Sequence, residues 1–281
     1  MPSLSLRTFA VGAVMVALVA CTSTTQQGAT GINRQQLLLI SSAEVDALSL
    51  QTYQGELKKA RDKKALNTDR ANLERIRVIA DRLIPHVTVF RQDALNWAWE
   101  VNLETRDELN AYCAPGGKIM FFTGIITKLK LTDDEIAAIM GHEIAHALRE
   151  HGRERMSRAY AQQAGLGIIT AGLGLGGGSA QMLQMAADVG LSLPHSRGQE
   201  TESDIIGLEL MARAGFNPNA AVTLLQKMAG ASGGGGSFLS THPSSGQRIN
   251  ELKARIPVVM PLYEQAQRNK PPVRRIVPRT I

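Results

Sequence analysis

Two histidines and a glutamate carry the most specific chemistry in this sequence. Residues 141–146 read Gly-His-Glu-Ile-Ala-His, so His142 and His146 are four residues apart and Glu143 directly follows the first. On a helix this spacing puts both imidazoles on one face, where they can bind a single zinc ion, and Glu143 can act as general base. The alternative is a solvated helix whose histidines only form hydrogen bonds. The neighbouring Ala, Ile, Met and Leu residues argue against it, because burial without a metal would be costly.

A catalytic zinc ion needs a third protein ligand, and the sequence offers Glu200. The metzincin pattern requires glycine at 149 and histidine at 152, whereas this chain has Arg149 and Gly152. His151 is one position out of register, so we interpret it as a surface residue or as a residue that contacts a ligand rather than the metal. Glu200 can complete a His, His, Glu site that leaves the fourth position open for water.

Asp204 lies four residues after Glu200, on the same face of a second predicted helix. Its carboxylate can accept a hydrogen bond from a ligand imidazole and fix the orientation of that ring. Glu202, between the two, faces elsewhere. The alternative interpretation of these acidic residues is a solvated helix start that complements the helix dipole.

The helix with His142 and His146 must begin near residue 132, where Thr132-Asp133-Asp134-Glu135 has the form of a capping box. We expect this helix to extend to about residue 164. Other helices are predicted at 43–65, 68–83, 200–214, 219–229 and 245–256. Short β-like runs are predicted at 96–103, 109–114 and 118–123, with Pro115-Gly116-Gly117 as the turn between the last two.

Two glycine runs interrupt these elements. Residues 159–187 contain no charged side chain and seven glycines, most of them at 172–178. This composition favours a mobile apolar hairpin or lid, with a membrane-dipping segment as the alternative. The second run, 233–236, is expected to form a hinge-like loop.

The composition is that of a globular protein. The 281 residues are 44% hydrophobic and 20% charged, which suffices for one good-sized core with appendages. The net charge of +6 arises from 31 basic residues scattered among 25 acidic ones. A nucleic-acid-binding surface would favour a basic stripe with interleaved aromatic residues. We therefore expect no nucleic-acid partner.

The amino terminus has the pattern of a targeting segment. Arg7 precedes an apolar run at 9–20 that is too short to span a bilayer and ends just before Cys21. This pattern resembles the lipobox of bacterial lipoproteins, which implies a signal peptide over 1–20 and lipidation of the Cys21 thiol. Thr22 occupies the position where aspartate would favour the inner membrane, so we expect an outer-membrane anchor facing the periplasm. The alternative is an ordinary secretory signal.

The remaining segments divide by composition. Residues 21–41 are rich in Thr, Gln, Ser and Gly and predict a flexible tether. The zinc metallopeptidase domain is expected over 42–260. Residues 261–281 form a basic, proline-containing tail that we expect to be disordered. With Cys21 lipidated, Cys113 has no intrachain partner and is expected to be buried.

Four ordered motifs resemble one protein family. They are Gly141 to His146, Ser196-Arg197-x-x-Glu200-x-Glu202-Ser203-Asp204-x-x-Gly207, Ala214-Gly215-Phe216-Asn217-Pro218, and Thr241-His242-Pro243 with Arg248. Over about residues 70–257 the chain resembles the zinc metalloendopeptidase family of the CAAX prenyl protease and HtpX. Within it, the closest resemblance is to the soluble periplasmic and lipoprotein branch with LoiP and BepA, and to the mitochondrial Oma-type proteases. Ser203 departs from the usual alanine. The transmembrane helices of the prenyl protease and HtpX are absent, so prenylated substrates are not implied.

The resemblance implies an α+β fold, a predominantly helical zincin-like metalloprotease domain with a small sheet. Run 118–123 corresponds to the edge strand, to which an extended peptide substrate adds with little sequence demand. The resemblance also places His242 and Arg248 near the scissile bond, where they can donate hydrogen bonds to the oxyanion of the tetrahedral intermediate. In some relatives the matching histidine instead binds the zinc and blocks it, and both roles of His242 stay open here.

The resemblance assigns His142, His146 and Glu200 to one zinc ion, Glu143 to catalysis and Asp204 to the orientation of a ligand. We therefore expect a zinc-dependent endopeptidase that hydrolyses unfolded or misassembled cell-envelope proteins, with the outer-membrane assembly machinery as a candidate partner. A chaperone or assembly factor whose zinc site is plugged by His242 is the alternative from a different class. A zinc hydrolase of a non-peptide bond is disfavoured by the expected edge strand.

Overall fold

The computed structural model describes residues 21–171, 194–231, 237–242, 246–269 and 274–279. The predicted signal peptide, residues 172–187 of the first glycine run and the second glycine run lie outside the described residues, whereas residues 159–171 are helical. The fold is α+β and predominantly helical with a small mixed sheet, which confirms the predicted class. Among the residues so described, no helix is both long and apolar enough to cross a membrane.

The elements follow the predicted order along the chain. The helices in the described ranges are α1 (Ser42–Asp62), α2 (Arg70–Leu83), α3 (Thr123–Lys128), α4 (Asp133–Leu148), α5 (His151–Ala171), α6 (Arg197–Arg213), α7 (Asn219–Gly230), α8 (Ser237–Thr241) and α9 (Gly246–Asn269). Two 3₁₀ helices, Ile84–Val89 and Gln92–Asn96, follow α2. The strands are β1 (Cys21–Thr22), β2 (Gln36–Leu37), β3 (Glu100–Glu104), β4 (Ala111–Ala114) and β5 (Lys118–Phe122).

Helix α4 starts at the predicted capping box. The Thr132 side chain accepts a hydrogen bond from the Glu135 backbone N–H, and the Glu135 carboxylate accepts one from the Thr132 backbone N–H. A second capping box, formed by Ser196 and Gln199, starts α6. The two helices that carry the chemically interesting residues are therefore each fixed at their first turn.

The three-stranded sheet has the order β3-β5-β4, with β5 parallel to β3 and antiparallel to β4. The prediction that run 118–123 forms the sheet edge is therefore wrong, because β5 has a hydrogen-bonded neighbour on both sides. Gly116 and Gly117, with φ values of 75° and 80°, make the tight turn that returns the chain beside β4. Among the described residues, β4 and β3 are the edge strands of this sheet.

Helices α4 and α6 cross at a pair of glycines, Gly141 and Gly207. A Cβ atom on Gly207 would lie 2.7 Å from the backbone nitrogen of His142, so only glycine permits this separation. Nearly every α4 residue is buried, and α4 runs through the main hydrophobic core. The close crossing brings the histidines of α4 beside the acidic residues of α6.

The predicted single helix from 132 to about 164 is interrupted. Helix α4 ends at Leu148 and α5 begins at His151, because Glu150 adopts a left-handed backbone with φ of 49°. A non-glycine residue pays about 1–2 kcal/mol for this conformation. The Glu150 carboxylate offsets part of that cost through ion pairs with Arg91 at 2.5 Å and Arg153 at 2.6 Å.

Residues 21–41 differ from the predicted flexible tether. Strands β1 and β2 pair antiparallel, and the side chain of Gln36 is fully buried. The Thr30 backbone and hydroxyl both donate to the buried carboxylate of Glu209 on α6. This segment is therefore packed on the domain, since its polar side chains bond to charged groups that the domain buries.

The carboxyl-terminal segment also differs from the disordered tail that its composition predicts. Helix α9 continues to Asn269, well past the predicted end at 256. In the stretch 274–279, the backbone N–H groups of Ile276 and Val277 donate to Asp81, and Val277 is buried in the main core. The buried Asp81 carboxylate thus gives this part of the tail a fixed position.

Candidate metal centre and active site

Four side chains from three parts of the chain converge at the α4–α6 crossing. The Nε2 atoms of His142 and His146 are 3.0 Å apart. The Nδ1 atom of His242 lies 3.2 Å from His142 Nε2 and 3.0 Å from Glu200 Oε1, and His146 Nε2 lies 3.3 Å from the same oxygen. All four residues are buried, and together they form a group able to hold a metal ion.

The spacing of these donors fits zinc. Ligand atoms at about 2.0–2.1 Å from a tetrahedral zinc ion lie about 3.3 Å from one another, close to the distances observed here. Three imidazole nitrogens that converge this closely cannot all be satisfied by hydrogen bonds among themselves. A cation at their centre satisfies every lone pair at once, so the donor set suits a metal. Three of the four residues, His142, His146 and Glu200, are the predicted ligands.

Asp204 lies where it can orient His142. Its Oδ1 atom is 3.0 Å from His142 Nδ1, and the other ring nitrogen of His142 points to the donor cluster. Arg248 donates to both Asp204 oxygens at 2.6 Å and lies 2.7 Å from Glu200 Oε2. Arg248 thus contacts the carboxylates of Glu200 and Asp204, whereas the sequence led us to expect it at the scissile bond.

Glu143 is buried beside the donor cluster. Its Oε1 atom lies 3.6 Å from His242 Nε2 and has no hydrogen-bond partner among the described residues. Burial raises the pKa of Glu143 above its ordinary value, and the neighbouring His242 and His142 offset only part of that rise. A buried carboxylate with an unsatisfied oxygen and a raised pKa is suited to exchanging a proton with water.

The surroundings of Glu200 keep its carboxylate ionised. Burial alone would raise the pKa of Glu200, but the adjacent His242, His142 and Arg248 outweigh it and hold the pKa well below its usual range. For His146, burial and the neighbouring His142 lower the pKa, which favours the neutral imidazole. An ionised carboxylate and a neutral imidazole are the forms that bind zinc.

His151 is fully buried, so its interpretation as a surface residue is wrong. Its Nδ1 atom lies 2.8 Å from Nδ1 of His146, and its Nε2 atom lies 3.0 Å from Oε2 of Glu202. Glu202 is likewise buried and accepts a hydrogen bond from Arg149 at 3.1 Å. The alternative interpretation, that Glu202 is a solvent-exposed residue at the start of a helix, is therefore excluded. No sequence pattern indicates the contact between His146 and His151, because it depends on the helix break at Glu150.

A pocket opens beside the donor cluster, between the outer edge of β4 and helices α1, α4 and α5. Glu143, His146 and His242 line it together with residues 110–115. In the antiparallel ladder the Asn110 carbonyl accepts a hydrogen bond from the Phe122 N–H. Because every second residue of β4 bonds to β5, Cys113 belongs to the non-bonded set, and its backbone N–H and C=O point away from β5. The pocket therefore places an edge strand next to the candidate base and metal donors.

His195 also lines this pocket and was missed in the sequence. Its ring centroid lies 3.8 Å from that of His146 and 4.9 Å from that of His242. The one available signal was its position immediately before Ser196, the capping residue of the helix that carries Glu200.

A sequence model of peptidase family M48 matches residues 71–256. The chain is 40% identical over 162 residues to the mitochondrial metalloendopeptidase OMA1 of Schizosaccharomyces pombe, covering 57% of this chain and 47% of that protein. It is 26% identical over 151 residues to the metalloprotease YcaL of Escherichia coli, covering 53% of this chain and 59% of the relative. It is 28% identical over 172 residues to the beta-barrel assembly-enhancing protease of Yersinia pestis, covering 54% and 33%. The chain thus spans about a third to three fifths of the length of these relatives.

Proposed function

This chain belongs to peptidase family M48, and from that premise we propose that it is a zinc-dependent endopeptidase of unfolded or misassembled proteins in the bacterial cell envelope. One observation carries the proposal. The buried carboxylate of Glu143, two members of the zinc-compatible donor cluster (His146 and His242) and an edge strand line a single pocket. Peptide hydrolysis by a zinc enzyme uses these three parts together: a base, a Lewis acid and a surface that holds an extended chain.

We assign the zinc ion to His142, His146 and Glu200, one ion per chain. When bound, zinc supplies a Lewis acid that polarises the scissile carbonyl and lowers the pKa of water. Glu143 takes a proton from the attacking water and returns it to the leaving amine, a task suited to its raised pKa. Asp204 holds the His142 ring through its Nδ1 atom, and Arg248 holds both acidic side chains.

We propose that the substrate adds as a strand to the outer edge of β4. Backbone hydrogen bonds from the 111–114 segment would fix an extended peptide across the pocket beside Glu143 and would demand little of its sequence. A folded protein presents far fewer such segments, since most of its backbone groups are already paired. This requirement supports unfolded polypeptides as the substrate class.

His242 supports a second candidate function. Its Nδ1 atom lies within the donor cluster, where it occupies the position of a fourth zinc ligand. A closed four-ligand site is typical of structural zinc and leaves no position for water. In this arrangement the protein would act as a chaperone or assembly factor with a silent zinc site, and departure of His242 would activate it. The name of the Yersinia pestis relative joins β-barrel assembly and proteolysis in one protein.

The location is also a proposal. The lipobox-like segment before Cys21 supports a lipid anchor in the outer membrane facing the periplasm, and two of the relatives described above are bacterial. The Schizosaccharomyces pombe relative is mitochondrial. If Cys21 is lipidated, the packed segment 21–41 would hold the domain close to the membrane surface.

The substrate class can be tested with one protein in two states. The purified zinc-loaded chain is incubated with an outer-membrane β-barrel protein, either unfolded in urea-diluted buffer or folded in detergent micelles. We expect internal cleavage of the unfolded form and at least tenfold slower cleavage of the folded form. Equal cleavage of both forms, or release of terminal residues only, would contradict an endopeptidase of unfolded chains.

A further inference from the structure

Segment 21–41 lies outside residues 71–256, which match the family, yet one of its side chains reaches toward the metal centre. We propose that Arg34 is a positioning residue for the metal centre and acts through Glu202 and His151 to fix the ring of His146. This inference rests on the proposed zinc site. It makes the segment amino-terminal to the family domain a structural part of that site.

The connection consists of consecutive side-chain contacts. Arg34 donates to both oxygens of Glu202, through Nε to Oε1 and through Nη2 to Oε2 at 3.2 Å. Glu202 Oε2 lies 3.0 Å from His151 Nε2, and His151 Nδ1 lies 2.8 Å from His146 Nδ1. The remaining ring nitrogen of His146, Nε2, points to the donor cluster. Three hydrogen bonds thus connect Arg34 to His146, the proposed zinc ligand.

The hydrogen-bond directions are fixed once His146 binds a metal through Nε2. The proton of its neutral ring must then be on Nδ1, so His146 donates to Nδ1 of His151. His151 must carry its own proton on Nε2 and donates it to Glu202, which accepts only. His146, His151 and Glu202 therefore each have one orientation that makes all of these hydrogen bonds. Rotation of the Glu202 carboxylate would break its bond to His151 and leave the His151 and His146 rings free to turn. Partners of this kind tune the affinity of a site for its metal.

Arg34 determines where the Glu202 carboxylate lies. The Glu154 side chain is fully buried. Arg34 donates two hydrogen bonds to its carboxylate, from Nη1 to Oε1 at 2.7 Å and from Nη2 to Oε2 at 2.8 Å. One guanidinium therefore bridges the buried carboxylates of Glu154 and Glu202. Without it two buried negative charges would repel each other across the gap, and Glu202 would turn toward its other cation, Arg149.

The backbone around Arg34 is itself anchored. The Arg34 carbonyl accepts a hydrogen bond from Arg149 Nη2 at 2.8 Å. Gln36 donates to the Arg149 carbonyl at 2.6 Å and to Glu154 at 3.1 Å. The guanidinium therefore extends from an anchored backbone two residues before β2, which is what a positioning role requires.

The test is the zinc dissociation constant of the full chain, measured by competition with a chromophoric chelator. We expect Arg34→Ala to weaken zinc binding by about 10- to 100-fold, the range typical of groups that support a ligand. Arg34→Lys keeps one charge but loses the fork and should restore part of the affinity. Arg158→Ala is the matched control, because Arg158 pairs with Glu154 at 2.7 Å and shows no contact with Glu202. Its zinc affinity should stay within threefold of wild type.

A second readout separates positioning from stability alone. In the cobalt-substituted protein, Arg34→Ala should shift the visible absorption bands of the metal, whereas Arg158→Ala should leave them unchanged. Should Arg34→Ala fail to fold, Arg34→Gln, which keeps much of the side-chain length but removes the guanidinium, takes its place with the same 10- to 100-fold expectation. If Arg34→Ala binds zinc with an affinity within threefold of that of the wild type, or if its cobalt bands are unchanged, the inference is overturned. Either result leaves the proposed function intact. Absence of stoichiometric zinc in the wild type overturns both.

Discussion

The Nδ1 atoms of His146 and His151 lie 2.8 Å apart, although the two residues are separated by five positions. On a continuous helix five residues correspond to a rotation of about 140°, which would point the rings to different sides. The left-handed conformation of Glu150 ends α4 and restarts the chain as α5, and this turn brings His151 back against His146. His151, which the sequence suggested to be a surface residue, is thereby buried in contact with His146, a proposed zinc ligand.

This relationship predicts an order of zinc affinities. His146→Ala removes a ligand and should reduce zinc affinity by at least about 1000-fold, whereas His151→Ala should reduce it by about 10- to 100-fold. Chelator competition on the full chain measures both, and His86→Ala, outside the donor cluster, serves as control. Loss of zinc in His151→Ala that equals the loss in His146→Ala would make His151 a ligand and contradict the assignment.

The sequence predicted the helices of the site because their signals are local. The capping box at Thr132 and the four-residue spacing of His142 and His146 each involve neighbours in the chain. The break at Glu150 depends on Arg91, which lies 59 residues away, and the partners of the buried Glu202 lie 51 to 168 residues away in the sequence. Such long-range compensation of charge has no signature in a single segment.

Strand order escaped prediction for a related reason. The turn at 115–117 correctly indicated a β4–β5 hairpin, but only the return of β3 beside β5 decides which strand has a free edge. The polar composition of residues 21–41 likewise suggested a tether, whereas Thr30 and Gln36 are buried by bonding to charged groups of the domain. A polar segment is not disordered when its side chains form hydrogen bonds with charged groups that the domain buries.

The free edge of β4 predicts a specific effect of proline. Cys113→Pro removes an N–H that points away from β5, so the sheet should keep its ladder while a bound peptide loses one backbone hydrogen bond. We expect KM for an unfolded substrate to rise by about tenfold, with kcat within twofold of wild type. Cys113→Ala is the control for the lost side chain and should leave KM unchanged. A similar KM in the proline and alanine variants would argue against strand addition at β4.

The position of His242 predicts a gain of activity. His242→Ala leaves three zinc ligands in place and opens the fourth position, so cleavage of casein should increase while bound zinc stays stoichiometric. The double variant with Glu143→Gln should be inactive, which would assign the added cleavage to this site. A decrease of 100-fold or more with zinc retained would instead assign His242 to the oxyanion.

The buried carboxylate of Glu154 predicts acid sensitivity. Burial would raise the pKa of Glu154, but Arg34, Gln199 and Gln36 outweigh it and lower the pKa to about 2 from an ordinary value of 4.5. A folded-state pKa below the unfolded value stabilises the fold above about pH 4.5, and that contribution is lost as the pH falls toward 2.

We therefore expect the Tm of the metal-free protein to fall between pH 5 and pH 3, and to fall less in Glu154→Gln. Differential scanning calorimetry in the presence of a chelator excludes zinc loss as the cause. Glu56→Gln, which removes an ion pair with Lys59 on the surface, serves as the control and should follow the wild type. Parallel Tm curves for wild type and Glu154→Gln would contradict the proposed charge balance around Arg34.

The most direct test of the central claim is digestion of casein by the purified zinc-loaded chain beside its Glu143→Gln variant, with bound zinc measured in both. The account predicts internal cleavage by the wild type and loss of at least 1000-fold in the variant at equal zinc content, because the amide cannot take the proton from water. Equal cleavage by the two proteins would contradict Glu143 as the base. Absence of cleavage by wild type and by His242→Ala, both with zinc bound, would contradict the assignment as an endopeptidase.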